Sequence, residues 1–262
     1  MNIYDTHAHL DHIEDLSPAL ERAVQTGVKG VVAVSISLKS CTRTLEIAKE
    51  YSNPIIYPAL GMHPSDADRN DVAACIDLIK ENVSRIIAVG EIGLDFWYKW
   101  VRKDKEKKDE QREVFQAFLN VARETNLPAI IHTRGTWREA FDRTKATGLT
   151  KALFHWYSGP VDVLKDILDA GYYVSTSPSV AYSPQSREAM SYAPIEQTLI
   201  ETDSPVFYKN RDTDDEGFKA EPKDVLKTLS AYSKLKNVSE DKTLSILNNN
   251  AETFFNFQKF QS

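Results

Sequence analysis

The stretch Tyr4-Asp5-Thr6-His7-Ala8-His9-Leu10-Asp11 decides how the rest of the chain is read. It closes a short buried-type run, residues 3–7, that reads as a β-strand. Alternation along a strand sends residues i and i+2 to the same side, so His7 and His9 point the same way. Two imidazoles on one face, flanked by acids, can bind one metal ion together. Taken alone, His-x-His is as readily a pair of surface histidines, because so short a motif recurs by chance. The remainder of the chain separates the two readings.

Working outward, strand patterns recur at residues 3–7, 30–36, 55–60, 86–91, 129–132, 152–155, 172–175 and 198–201. Longer amphipathic patterns lie between them. Residues 18–26 precede Gly27, a suitable helix C-cap. Within 111–125, Val114, Phe118, Val121 and Ala122 form a core-facing stripe at i, i+4, i+7 and i+8. Residues 160–170 open with Pro160 and stop at Gly171, the usual helix asymmetry. Eight strands alternating with helices imply parallel pairing through helical crossovers, and eight closes a (β/α)₈ TIM-type barrel. The tail, 239–260, reads as two further helices packing through Leu244, Leu247, Phe254, Phe255 and Phe257. No repeat and no Ser/Gly linker divides residues 1–262, which read as one domain of a barrel's usual length.

Composition narrows the class. Apolar residues make up 42% and charged residues 27%, with no run long enough to cross a bilayer. The N-terminus lacks a signal-peptide layout, so Cys41 and Cys75, far apart in sequence, read as reduced thiols of a cytoplasmic protein. A net charge of −6 argues against a broad DNA-coating role, although a cation-loaded cleft can still attract phosphates. No coiled-coil seam or repeat interface is visible, so a monomer without an obligate protein partner is expected.

In such barrels the chemistry sits at the carboxyl ends of the strands. His7 and His9 end the first strand, His63 follows the third, and Glu91 ends the fourth. His132 ends the fifth, His155 the sixth and Asp203 the eighth, while His12 is an ordinary loop residue. Each alone is an unremarkable loop or turn residue. Gathered at one barrel mouth, such groups are costly to crowd together unless a cation compensates them. Mixed imidazole and carboxylate donors suit zinc, manganese or iron and hold magnesium less comfortably. Metal-assisted hydrolysis is therefore the leading chemistry.

These residues carry a pattern that resembles the TatD family of metal-dependent deoxyribonucleases, within the amidohydrolase superfamily. Its motifs here are Asp5-Thr6-His7-Ala8-His9-Leu10-Asp11, Gly61-Met62-His63-Pro64 and Gly90-Glu91-Ile92-Gly93-Leu94-Asp95. Gln111, Pro128-Ala129-Ile130-Ile131-His132-Thr133-Arg134, His155-Trp156-Tyr157-Ser158-Gly159 and Glu201-Thr202-Asp203-Ser204-Pro205 follow in order. The resemblance implies two divalent ions (Mg, Mn or Zn): His7 and His9 on the first with Asp203 beside it, His132 and His155 on the second, and Glu91 bridging. Glu91 stands where other superfamily branches carry a carbamylated lysine. The chain departs from the pattern at Gly135, where many relatives carry an acid after His-x-Arg, and at Ala220-Glu221-Pro222, which resembles the family's Asn-Glu-Pro with Ala in place of Asn. Neither departure removes a ligand, so both bear on substrate preference.

The reaction so implied is phosphodiester hydrolysis of DNA, exonucleolytic on single strands or ends, with Asp203 either positioning and deprotonating the water or acting as a ligand only. Arg134 reads as a phosphate clamp or a structural salt bridge, and His63 as a neighbour of the ligands or a phosphate contact. Residues 96–108 carry Phe96, Trp97, Tyr98 and Trp100 with a local charge of +4. Trp97 and Trp100 could stack bases while the cations meet phosphates. Alternatively the aromatics pack the loop down and the lysines form a solvated helix face. Two other functions share the same scaffold: hydrolysis of a small amide, lactone or ester, and nucleic-acid binding without catalysis.

Overall fold

The computed structural model describes residues 2–260. Eight parallel strands follow one another around a nearly closed barrel in chain order. They are β1 (Ile3–Ala8), β2 (Val28–Val34), β3 (Ile55–Leu60), β4 (Ala88–Asp95), β5 (Ala129–Arg134), β6 (Ala152–Phe154), β7 (Tyr173–Thr176) and β8 (Thr198–Ile200). Helices α1 (Leu16–Gln25), α2 (Leu38–Glu50), α3 (Val72–Glu81), α4 (Lys105–Thr125), α5 (Trp137–Thr147), α6 (Val161–Asp169), α7 (Pro184–Tyr192) and α8 (Val225–Lys236) alternate with them. An additional helix, α9 (Glu240–Phe255), follows α8. Among the described residues no helix is long and apolar enough to cross a membrane.

The seam between β8 and β1 closes largely through one side chain. Asp5, fully buried, accepts from the Thr202 amide at 2.9 Å and its hydroxyl at 2.6 Å. Burial pushes the Asp5 carboxyl well up, against those donors. Past Asp5 the main chain takes over, with the Asp203 amide donating to His7 O and the His9 amide to Ser204 O. The acid that flanks the His-x-His pair is thus a structural strut. Asp11 is likewise engaged elsewhere, accepting from Ser40 Oγ at 2.6 Å.

Several expected bounds shift for local reasons. β4 runs on to Asp95, where residues 86–91 were expected, because Gly90 and Gly93 permit close packing and pairing continues as Gly93–His132 and Asp95–Arg134. α4 starts at Lys105, not 111. Asp104 caps it by accepting from the Lys107 amide, and Lys105 pairs with Asp109 one turn on. The tail is one α-helix, which Asn256 ends at φ +53°, followed by a 3₁₀ turn at Phe257–Phe260. Gly27 and Gly171 end α1 and α6 at φ +93° and +80°, as the sequence requires. Cys41 on α2 and Cys75 on α3 are free, buried thiols whose sulfurs approach to 3.5 Å.

Inside the barrel Tyr4, Val32, Tyr57, Ile87, Ile130 and Leu153 belong to one apolar cluster with Phe254 and Phe257 of the tail. A second, larger cluster lies between the strands and the helical ring. This two-shell core sends the polar strand-end residues to the remaining opening.

Candidate metal centre

Glu91 occupies the middle of that opening, 1% exposed, and its two oxygens face different partners. Oε2 lies 3.1 Å from His7 Nε2 and 3.3 Å from His9 Nε2. Oε1 lies 2.9 Å from His132 Nδ1 and 2.8 Å from His155 Nε2. Asp203 completes the first group, its Oδ1 3.5 Å from His7 Nε2 and 3.3 Å from His9 Nε2. Strand alternation brings His7 and His9 in together, while Glu91 arrives from β4, three strands away from β1, and Asp203 from the segment after β8, which adjoins β1. His63 Nε2 stands 3.5 Å from Glu91 Oε1. Groups of donor atoms within 4.8 Å of one another are His7, His9 and Asp203; His63, Glu91 and His132; and His7, His155 and Glu201.

The chemistry of these donors fits divalent cations. Asp203 Oδ1 is buried without a hydrogen-bond partner, a costly arrangement unless a cation meets it. Asp203 also holds a left-handed backbone, φ +48°, as functional residues sometimes do when their surroundings over-determine them. Burial by itself would raise both carboxyls. The crowded imidazoles overcome it, holding Glu91 well below the carboxylate range and Asp203 at about 2. Burial likewise opposes a charged His9, yet Asp203 and Glu91 lift it to about 10, and His132 and His155 are raised by their own carboxylates. Protons and divalent ions compete for such a donor set.

His63 behaves differently from its neighbours. Its Nδ1 accepts from the Ser65 amide at 3.0 Å, capping the 3₁₀ turn Pro64–Asp66, which leaves the ring proton on Nε2 facing Glu91. Burial pushes this imidazole down to about 3, so it is a neutral donor.

Two buried carboxylates absent from the expected set stand behind the ligand candidates. Asp95 Oδ2 is 3.1 Å from His132 Nε2, and Glu201 Oε1 is 3.2 Å from His155 Nδ1. Alternation could have signalled Asp95, which lies four residues from Glu91 on one strand, whereas Glu201 and Asp203 lie beyond the end of β8, where the two-residue period no longer applies.

The centre opens into a cavity of about 710 Å³. Arg134 lines it, its Nε donating to Asp95 Oδ2 at 2.8 Å and its guanidinium 4.8 Å above the Tyr98 ring. The salt-bridge reading therefore holds for one edge of the guanidinium, while the side chain remains 44% exposed. Trp97 also lines the cavity and is 60% exposed. Trp100 sits outside that lining and stacks on Tyr98 at 4.4 Å. Lys105, Lys107 and Lys108 belong to α4, where Lys105 and Lys107 pair with Asp109 and Glu110 and Lys108 lies over Phe96. This part of the basic loop is a helix face. Gly135 now has a reason: at φ +73°, a Cβ there would come within 2.3 Å of the Trp97 indole. His12 is half-exposed and stacks on His9 at 5.8 Å.

With this geometry in hand, the sequence profile described as TatD related DNase matches residues 4–256. The chain belongs to the TatD family. An uncharacterized metal-dependent hydrolase of Methanocaldococcus jannaschii is 33% identical over 256 residues, 96% of each chain. The human protein named Deoxyribonuclease TATDN3 is 27% identical, covering 97% of this chain and 95% of its own. Among solved structures, the TatD homolog YjjV of Escherichia coli superposes with a TM-score of 0.86 at 25% identity, covering 97% and 98% of the two chains. As a TatD protein the chain is a metal-dependent hydrolase with candidate metal-binding His, Glu and Asp groups.

Proposed function

We propose that this chain is a deoxyribonuclease that hydrolyses phosphodiester bonds of DNA, working inward from single-stranded or free ends, with two divalent ions that His7, His9, Glu91, His132, His155 and Asp203 would hold. The observation that carries the reading is the division of the Glu91 carboxylate, Oε2 toward His7, His9 and Asp203 and Oε1 toward His132 and His155. The name of the human relative supports DNA as substrate. Imidazole-rich donors favour zinc or manganese over magnesium.

Bound there, a pair of divalent ions would acidify water and neutralise charge on the phosphoryl oxygens. The side chains supply the rest. Asp203, its Oδ1 unpaired and its carboxyl held ionised, takes a proton from the attacking water or fixes its direction. His63 keeps its proton on Nε2 and offers a neutral hydrogen bond to a phosphate oxygen entering beside Glu91. Arg134, pinned by Asp95 at one edge, presents its other edge to phosphate. Trp97 gives a base a face at the cavity wall.

The test is a product ladder from end-labelled single-stranded DNA with zinc, manganese or magnesium, against a chelated control. Single-nucleotide shortening that stops with chelator is expected. Binding without cleavage, or turnover confined to small amides, lactones or esters, would overturn the assignment.

A further inference from the structure

The two halves of the centre are supported differently. On the Glu91 Oε1 side, each imidazole has its far ring nitrogen against a fully buried carboxylate: His132 Nε2 on Asp95 at 3.1 Å, His155 Nδ1 on Glu201 at 3.2 Å. Those carboxylates are themselves fixed. Asp95 Oδ1 accepts from the Trp97 amide and Glu201 Oε2 from Ser175 Oγ. On the Oε2 side, His7 Nδ1 and His9 Nδ1 are buried with no hydrogen-bond partner.

We propose that Asp95 and Glu201 are positioning residues which, within the metal centre, act on the His132–His155 half and not on His7 and His9, fixing which ring nitrogen of each imidazole is free to meet a divalent ion. The inference rests on the dinuclear reading above. A carboxylate on one ring nitrogen holds the proton there and leaves the opposite lone pair exposed, raising its basicity. The arrangement therefore dictates Nδ1 of His132 and Nε2 of His155 as donors, the two atoms that face Glu91 Oε1. Glu201 lies close enough to His7 and His155 to be considered a ligand itself. Its oxygens are already committed to His155 Nδ1 and Ser175 Oγ, on the side of the imidazole away from Glu91. The His7–His9 half lacks such backing and draws its negative charge directly from Asp203.

Zinc uptake by the full chain, measured by equilibrium dialysis and elemental analysis, separates the possibilities. Two equivalents are expected for the unaltered protein. Asp95→Asn and Glu201→Gln should each weaken uptake of one equivalent by about 10–100-fold and leave the other unmoved. Uptake that is unchanged, or that falls alike for both equivalents, would overturn the inference while the dinuclear reading stands. An unaltered protein that takes up one ion or none would overturn the dinuclear reading itself, and this inference with it. Both carboxylates are buried, so a second measurement needs no variant: ¹⁵N-histidine NMR of the zinc-loaded protein. A proton on Nε2 of His132 and on Nδ1 of His155 is expected. The opposite tautomer at either ring would refute the assignment.

Discussion

At the amino-terminal end of the barrel, Phe257 stacks on Tyr4 at 4.4 Å and on Tyr57 at 4.3 Å, with Phe254 beside Tyr173. At the carboxyl end, Glu91 and Asp203 stand among His7, His9, His63, His132 and His155, with polar atoms left unpaired. Both ends are buried and both are built from the same strands. The aromatic end is cohesive by itself, because burying its rings needs no counter-ion. The polar end is not, since its crowded carboxylates and imidazoles need a cation or protons to balance them. Stability and chemistry are thereby assigned to opposite ends, as barrels of this architecture commonly arrange them.

The comparison breaks most visibly at Glu91. Glu91→Ala should lose metal, detected by elemental analysis, and reduce DNA hydrolysis by about 10²–10³-fold or more. Unchanged stoichiometry would refute its bridging place. Asp203→Asn should come next, with the fold kept because Asn tolerates the left-handed backbone at this position. Most turnover should go, by about 10²–10⁴-fold as for other lost general bases. Near-normal hydrolysis with metal still bound would remove Asp203 from the role.

Phe257→Ala probes the opposite end. A cost of about 3 kcal/mol in unfolding free energy is expected from the lost ring, with metal content unaltered. Metal loss at full stability would show that the ends are not separable. Trp97→Ala should weaken single-strand binding by about tenfold, the lower range for a base-stacking aromatic, with no fall in melting temperature because the ring is 60% exposed.

The smallest effect belongs to neither end. Arg22 forks onto Glu221 with bonds of 2.8 and 2.7 Å, tying α1 to the turn before α8. The Arg22 guanidinium holds the Glu221 carboxyl below its ordinary value. A depressed carboxyl contributes stability above its unfolded value, about 4.3 for Glu, and loses it as pH falls through the folded value. Arg22→Ala should therefore lower the melting temperature slightly at neutral pH, less so in high salt. The difference from the parent should vanish in acid.

Much of the architecture was legible locally. Short β-branched and apolar runs located the eight barrel strands, and the strand-end rule picked out the polar residues that the structure gathers around Glu91. Local signals left residues 105–110 open between a strand-binding rim and a solvated helix face. Asp104 capping and the Lys105–Asp109 pair make the segment helical. The supporting place of Asp95 and Glu201 is not legible in their motifs, because a carboxylate inside a motif carries no sign of whether it faces an ion or the back of an imidazole.

The sequence by itself determined the eight-fold alternation, the family motifs in order, the shared face of His7 and His9, and the strand ends at which Glu91 and Asp203 would stand. Those properties follow from the two-residue period of a strand and from position along it. Only the tertiary structure decided which Glu91 oxygen meets which pair of histidines, which ring nitrogen each imidazole turns inward, and that Trp97 fills the space above Gly135. These depend on how far apart the strand ends lie once β8 closes on β1, a distance set by all eight strands together and encoded in no single stretch.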